Sequence, residues 1–259
     1  MTLPPADVLA TYTRLRETQR ALNLTLTNAL SKKAILESAE RLGLVRRGRV
    51  IADSQLDLDL VMDTAVYDYY PSGNENAVAR YAGRHELTGD AKTVLDAMLR
   101  ARFTLVELGE RVKGVGVQAR DVVFAESFFL ADVALSRTGV PGLVLATRLL
   151  SFESFRMTTG AYRLFDADLA SLAATSCGPL AGLAATLTPR DSSFLARLFL
   201  TLGNLGGEEA RIALAGLAAA KLAAQDPRRK AYARLRAARG LDERFPKDLI
   251  PSRCHFRGP

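Results

Sequence analysis

Gly114, Gly116 and Ala119, in the segment KGVGVQARD, have the spacing Gly-x-Gly-x-x-Ala of a dinucleotide-binding loop. Such a loop holds a pyrophosphate where the glycines lie between a strand and the N-terminus of a helix, because the free amide groups of the helix bind the phosphate oxygens. The residues after Ala119 are rich in Val and Phe and lack the apolar period of a helix. We therefore predict a turn between antiparallel strands, with Gly114 or Gly116 at a positive φ angle, and no cofactor.

Four charged residues lie in or beside the apolar segments around this turn. Asp132 stands in FFLADVAL and Arg148 in LVLATRLL, and if both side chains point inward they should pair, because a buried unpaired charge is costly. A structural ion pair is the favoured interpretation. The alternative is an enzyme of unassigned reaction, with catalytic residues Arg120, Asp121, Asp132 and Arg148 at the edge of the central sheet.

A run of carboxylates could in principle supply a two-metal centre: Asp53, Asp57, Asp59, Asp63 and Asp68. On a helical wheel Asp57 and Asp68 flank one side of an apolar face, whereas Asp59 and Asp63 flank the other side. Because these side chains do not converge, we predict a solvated amphipathic helix and no metal site.

The formal net charge is +7, and basic residues are concentrated towards both ends of the chain. Arg46, Arg47 and Arg49 follow a predicted helix at the place where a helix-turn-helix would have its recognition helix. Gly48 and the β-favouring segment RVI interrupt that place, so an ordinary helical hairpin or a winged turn is favoured over a complete DNA-reading motif.

The second basic segment is a predicted helix over residues 227–239 that has no acidic residue. Its cations can neutralise phosphates without reading a base sequence, or they can simply be a solvated helix surface. They are Arg228, Arg229, Lys230, Arg234, Arg236 and Arg239.

The periodicity of apolar residues divides the chain into helical and extended parts. Residues 1–100 are mainly helical, with Ser31 as an N-cap, Gly43 as a stop and Leu58 on the apolar face of the acidic helix. Helical patterns return after Asp166. Between them lie five short segments typical of strands: RFTLVELGE, GVQARDVVF, SFFLADVALS, GLVLATRLLSF and FRMTTGAYRLF.

The predicted fold class is therefore α+β. It consists of an N-terminal helical region (1–100), a central antiparallel five-stranded sheet or small barrel (101–165) and an alanine-rich helical C-terminal region (166–259). We expect the three regions to form one integrated domain.

The segments VKGVGVQARDVV, FFLADVALSRT, GLVLATRLL and MTTGA, within about residues 100–162, resemble the small β-domain of a family of uncharacterised bacterial proteins. The resemblance implies a fold more than a function. Some members of that family end in a cysteine-rich zinc motif. This chain ends SRCHFRGP, where Cys254 and His255 stand in place of the four ligands of such a motif, so no metal is implied.

Composition and charge set the functional expectation. Two cysteines and the absence of a signal-peptide pattern favour the cytoplasm, and no segment is long and apolar enough for a membrane span. The leading hypothesis is a non-enzymatic interaction module that binds an anionic partner through its basic terminal segments, with nucleic acid as one candidate. The alternatives are the enzyme described above and a protein–protein adaptor.

Overall fold

The computed structural model describes residues 7–52, 54–71, 75–177 and 199–200. None of the helices in these ranges is long and apolar enough to cross a membrane. The N-terminal part contains helices α1 to α5 and a small hairpin, and the central part contains strands β3 to β7. In chain order the elements are α1 Val8–Asn28, α2 Lys32–Arg41, β1 Val45–Arg46, β2 Arg49–Val50, α3 Gln55–Tyr67, α4 Ala77–Ala82, α5 Gly89–Leu99, β3 Arg102–Val112, β4 Gly116–Asp121, β5 Glu126–Ala131, α6 Leu135–Thr138, β6 Val144–Ser151, β7 Arg156–Phe165 and α7 Ala167–Cys177.

Helices α2, α3 and α4 begin at short polar side chains that cap them. Ser31 accepts a hydrogen bond from the Ala34 amide, Ser54 accepts one from Asp57, and Asn76 accepts one from Ala79. The α+β class and the order of helices and strands are confirmed. Most of the predicted alanine-rich C-terminal region lies outside the described residues.

The five central strands close into a barrel in the order β3-β4-β5-β7-β6, with β6 returning to β3. Four of the pairings are antiparallel, as predicted, and the pairing that joins β5 to β7 is parallel. The parallel pairing follows from the order of the strands. In the sequence β6 lies between β5 and β7, but in the barrel β7 lies between β5 and β6. Two reversals of direction bring β7 back parallel to β5.

The segment KGVGVQARD forms the turn between β3 and β4. Gly114 has a φ angle of 79°, and Gly116 begins β4, where a Cβ atom would overlap the carbonyl oxygen of Leu130. Val117 belongs to strand β4 and not to a helix. The predicted turn is confirmed, and the strand after the glycines does not offer the amide groups with which a Rossmann loop binds phosphate.

The described residues form three apolar clusters. One fills the barrel with residues such as Val106, Leu130 and Leu145. The second joins the outer face of β3, β6 and β7 to α2, α3 and α7, and the third joins α1, α4 and α5 to β5, β6 and β7. The helices therefore pack directly on the barrel and determine which parts of its outer surface remain accessible.

Candidate anion-binding site

The structure does not bring the four predicted catalytic residues together. Arg120 is exposed on β4, 4.0 Å from Glu107. Asp121, Asp132 and Arg148 each have a different partner, described below. The predicted pairing of Asp132 with Arg148 is wrong, because each of these two charges is compensated by a residue from an N-terminal helix.

Arg148 is the largest fully buried side chain of the described residues and lies on the outer face of β6. Its Nε is 2.9 Å from Asp63 Oδ2, and its Nη2 is 2.7 Å from Asp68 Oδ2. The guanidinium stacks over the ring of Tyr67 at 4.5 Å and that of Phe103 at 5.5 Å. This cluster satisfies a buried charge and leaves it out of reach of a substrate.

Burial affects the protonation of this cluster. Loss of solvent raises the pKa of Asp63 above its usual value, although the charge of Arg148 opposes the shift. Burial by itself would lower the pKa of Arg148, but the charges of Asp63 and Asp68 outweigh it and raise that pKa. The arginine therefore stays charged, and Asp63 accepts a proton more easily than an exposed aspartate.

The prediction that the carboxylates of this amphipathic helix are solvated is wrong for Asp63 and Asp68. Asp63 and Asp68 are only 6% and 3% exposed, whereas Leu58, predicted on the buried face, is 42% exposed. The physical reason is that α3 packs over Arg148. A buried arginine charge without counter-ions would cost more free energy than the two aspartates cost on the buried face of the helix. The sequence did contain one sign of this arrangement. An arginine inside an apolar strand indicates that carboxylates from elsewhere in the chain compensate its charge.

A second ion network closes one end of the barrel. Asp121 accepts hydrogen bonds from Thr104, Val123 and Phe124 and lies 3.1 Å from Arg102. Other contacts of the same network join Arg102 and Arg156 to Glu126 Oε2, at 2.8 and 2.7 Å. Two positive and two negative groups are matched here, so the network is structural and provides no uncompensated charge for a ligand.

The protonation of the two carboxylates in this network differs. Burial raises the pKa of Asp121, against the charge of Arg102 and the hydrogen bonds it accepts. Burial also acts to raise the pKa of Glu126, but the hydrogen bonds and charges of Arg102 and Arg156 outweigh it and hold the pKa below its usual value. Glu126 is therefore an ionised member of the network at neutral pH.

An open groove of about 700 Å³ lies between α1, α3, the β5–α6 segment and β7. The floor of the groove is an irregular part of β7. Thr158 and Tyr162 are four residues apart on β7, whereas their partners Leu149 and Thr147 are two residues apart on β6. Arg16 donates a hydrogen bond of 2.7 Å to the carbonyl of Thr158, and Gln19 donates one of 3.4 Å to that of Thr159. These contacts fix α1 as a wall of the groove.

The floor of the groove is connected to the buried arginine. Thr159 donates a hydrogen bond from its hydroxyl to Asp63, 2.7 Å away, and Asp63 in turn contacts Arg148. Gly160, next in the strand, has a φ angle of 107°, and a Cβ atom placed there would meet nothing within 4 Å. The floor is thus rigidly held and open above Gly160.

Four exposed cations lie around the groove and the adjoining β3–β4 turn, which we call the basic rim: Arg20, Arg111, Lys113 and Arg137. Arg137 lines both the groove and a neighbouring depression that Arg111 and Lys113 also line. Arg111 donates a hydrogen bond to the Arg137 carbonyl, and the Gly114 amide donates one to Ser136. Among the described residues, no carboxylate lies within 4 Å of a rim cation's charged group.

Two carboxylates, Asp132 and Asp59, also line the groove, and each accepts a hydrogen bond. Asp132 accepts a hydrogen bond of 2.9 Å from the Leu135 amide and lies 3.8 Å from Arg16. Asp59, on the α3 side, accepts a hydrogen bond from Gln55. In the part of the chain that the structure describes, no cluster of three or more His, Cys, Asp or Glu side chains could hold a metal ion, and Asp53 lies outside that part.

The predicted basic residues of the N-terminal region lie on the hairpin β1–β2 and not in a helix-turn-helix. Arg47 and Gly48 have φ angles of 51° and 71°, as the tight turn of such a hairpin requires, and Arg46, Arg47 and Arg49 are exposed. The six cations from Arg228 to Arg239 lie outside the described residues. The sequence therefore identified one exposed basic surface but missed the basic rim, which is assembled from three separate elements.

The strand order of the barrel identifies its fold. Numbered within the barrel, the strands have the order 1-2-3-5-4, and a one-turn helix, α6, connects the third strand to the fourth. This is the arrangement of the OB fold, a five-stranded barrel that many oligonucleotide- and oligosaccharide-binding proteins use.

The chain belongs to a family of unknown function, DUF7986, whose model matches residues 6–174. The match confirms the predicted membership of an uncharacterised family and includes both the helical region and the barrel. No curated protein and no solved structure shows a significant match.

Proposed function

We propose that this protein is a non-enzymatic cytoplasmic module that binds an anionic partner, and that the partner is a single-stranded nucleic acid. The observation that carries the proposal is the basic rim, a group of exposed cations without carboxylate partners among the described residues. The fold alone would not carry it, because one fold serves many functions. The position of the rim adds support, since the loop between the first two strands of an OB barrel is one of the loops that bind oligonucleotides.

The proposed mechanism is neutralisation of phosphates. Arg111 and Lys113 lie at the end of β3 and in the β3–β4 turn, and the hydrogen bond between Arg111 and the Arg137 carbonyl holds that turn beside α6. Cations fixed in this way can follow a sugar–phosphate backbone and release its counterions. The exposed arginines of hairpin β1–β2 and those of residues 228–239 would add to the same attraction.

Base stacking has a small part in this proposal. Every Phe and Tyr side chain among the described residues is buried or half-buried, so the described surface offers little aromatic area on which bases could stack. We therefore expect binding that depends on charge and shows little preference for base sequence.

The experiment is a fluorescence-anisotropy titration of a labelled 20-nucleotide single strand of DNA or RNA with the full chain at low salt. The variant Arg111→Ala/Lys113→Ala should bind at least about tenfold more weakly, because two phosphate contacts are lost. The matched control is Arg84→Ala/Arg100→Ala, which removes the same charge from exposed positions away from the rim. It should bind within about threefold of the native chain.

A third variant, Arg46→Gln/Arg47→Asn/Arg49→Gln, measures the contribution of hairpin β1–β2, and Asn is chosen because it tolerates the positive φ angle at that position. Undetectable binding of either strand by the native chain would refute the proposal. Equal losses in the rim variant and its control would also refute it, since the effect would then come from net charge alone.

A further inference from the structure

The groove beside the basic rim has features that a continuous strand would not need. It has three walls, and two of its exposed cations come from different walls, Arg20 from α1 and Arg137 from α6. We propose that this groove is a phosphomonoester subsite in which Arg20 and Arg137 bind the terminal phosphate of the strand. The inference rests on the proposed function for the strand, but the phosphate chemistry of the groove is independent of it.

The charges of the groove favour an anion at these two side chains. Arg16, the third arginine of the groove, is buried, donates to the Thr158 carbonyl and lies 3.8 Å from Asp132. Arg20 and Arg137 have no carboxylate within 4 Å among the described residues. They are therefore the cations available to a ligand, and arginine is well suited to bind phosphate oxygens with two parallel hydrogen bonds.

The shape of the groove is suited to a small group and is fixed in advance. Its volume of about 700 Å³ lies in the range of small-ligand sites. The hydrogen bonds of Arg16 and Gln19 hold α1 to the β7 floor, and Gly160 leaves the floor without a side chain. Binding of a ligand would therefore require little rearrangement of the groove floor and its α1 wall, which lowers the free-energy cost of binding.

The wall of the groove that α3 forms favours a terminal phosphate over an internal one. Helix α3 contributes Asp59 and Met62 to the lining, so a backbone that continued through the groove would pass a carboxylate. A strand whose end is bound by Arg20 and Arg137 does not have to continue past Asp59. A terminal phosphate also carries close to two negative charges at neutral pH, whereas an internal phosphodiester carries one.

The test compares three oligonucleotides of one sequence, with a 5′-phosphate, a 3′-phosphate or hydroxyls at both ends. The native chain should bind one of the phosphorylated strands roughly tenfold more tightly than the hydroxyl strand, as expected for added hydrogen bonds between charged groups. The variant Arg20→Gln should lose this preference and bind the phosphorylated and hydroxyl strands with equal affinity. The control Arg14→Gln, on the same helix but paired with Asp90 at 3.3 Å, should retain the preference.

A competition at constant ionic strength separates a strand terminus from a free ligand. AMP and inorganic phosphate should remove the advantage of the phosphorylated strand without displacing the hydroxyl strand. Tight binding of all three strands with no preference would overturn the subsite and leave the proposed function standing. Binding of AMP that Arg20→Gln abolishes, with no binding of any strand, would support the subsite and refute the proposed function. A preference that persists in Arg20→Gln would overturn the assignment of Arg20.

Discussion

Arg148 and Arg137 lie on neighbouring elements, β6 and α6, and their surroundings differ in every respect that matters for a charge. Arg148 is 1% exposed and contacts two carboxylates and two aromatic rings. Arg137 is exposed and has no carboxylate within 4 Å among the described residues. The buried arginine has a structural role, because its charge is compensated by two buried carboxylates and is shielded from solvent. The exposed one contributes little to folding and keeps its charge available for a partner.

In this chain the arginine inside an apolar strand belongs to a structural ion cluster. Arg148 is unusual in sequence because it stands inside an apolar strand, yet its ion pairs with Asp63 and Asp68 give it a structural role. The rim cations have ordinary sequence contexts, and what distinguishes them is their position on the folded surface. Substitutions at the two places should therefore give opposite results in measurements of stability and of binding.

The largest expected effect is the loss of stability in Arg148→Met. Removal of the guanidinium leaves Asp63 and Asp68 buried without their counter-ion, which typically costs about 3–5 kcal/mol in the free energy of unfolding. Urea denaturation followed by circular dichroism measures this. The loss should shrink on acidification, because burial raises the pKa of Asp63 and protonation of that carboxyl removes one of the uncompensated charges.

The triple variant Arg148→Met/Asp63→Leu/Asp68→Leu is the control for this interpretation. It replaces the whole ion cluster by apolar side chains and should recover most of the lost stability. A single Arg148→Met variant as stable as the native chain would contradict the assigned role of the cluster.

An intermediate effect is expected at Glu126, which accepts hydrogen bonds from Arg102 and Arg156 and is only partly buried. Its pKa is held below the ordinary value of 4.5, so its ionised form stabilises the fold above that pH, and the contribution is lost as the pH falls through the lowered value. Glu126→Gln should therefore reduce the free energy of unfolding by about 1–2 kcal/mol at pH 7.

The difference between the native chain and Glu126→Gln should shrink as the pH falls through the lowered pKa of Glu126, and urea denaturation at pH 7 and at an acidic pH checks this. A difference that is the same at the two values would show that the carboxylate charge is not the cause.

The smallest effect on stability is expected for Arg111→Ala/Lys113→Ala. Both side chains are exposed and without a carboxylate partner among the described residues, so the free energy of unfolding should change by no more than about 0.5 kcal/mol. The same denaturation experiment measures it. A larger loss would mean that the rim is part of the folding energetics, and the contrast with Arg148 would fail.

Local patterns in the sequence predicted a large part of the fold. The caps at Ser31 and Gly43, the turn at Gly114 and the five strand segments depend on residues close in sequence, and the structure confirms them. The parallel closure of β5 on β7 could not be predicted in this way, because it depends on how the barrel closes and not on the composition of either strand.

The candidate site was much less predictable than the fold. Arg20, Lys113 and Arg137 come from α1, the β3–β4 turn and α6, which only the folded chain brings to one surface. The partners of Arg148 are 80 and 85 residues away in sequence, and a helical wheel of α3 alone does not show what lies opposite it. Interactions of this kind require the packing of helices on the barrel to be known.

The salt dependence of binding tests the central claim most directly. The logarithm of the affinity for a single-stranded oligonucleotide should fall linearly with the logarithm of the salt concentration, with a slope of about −0.7 for each neutralised phosphate. Arg111→Ala/Lys113→Ala should make the slope shallower by about 1.4 relative to the native chain, and Arg84→Ala/Arg100→Ala should leave it unchanged. An affinity that does not change with salt, or the same slope in the native chain and the rim variant, would contradict the account.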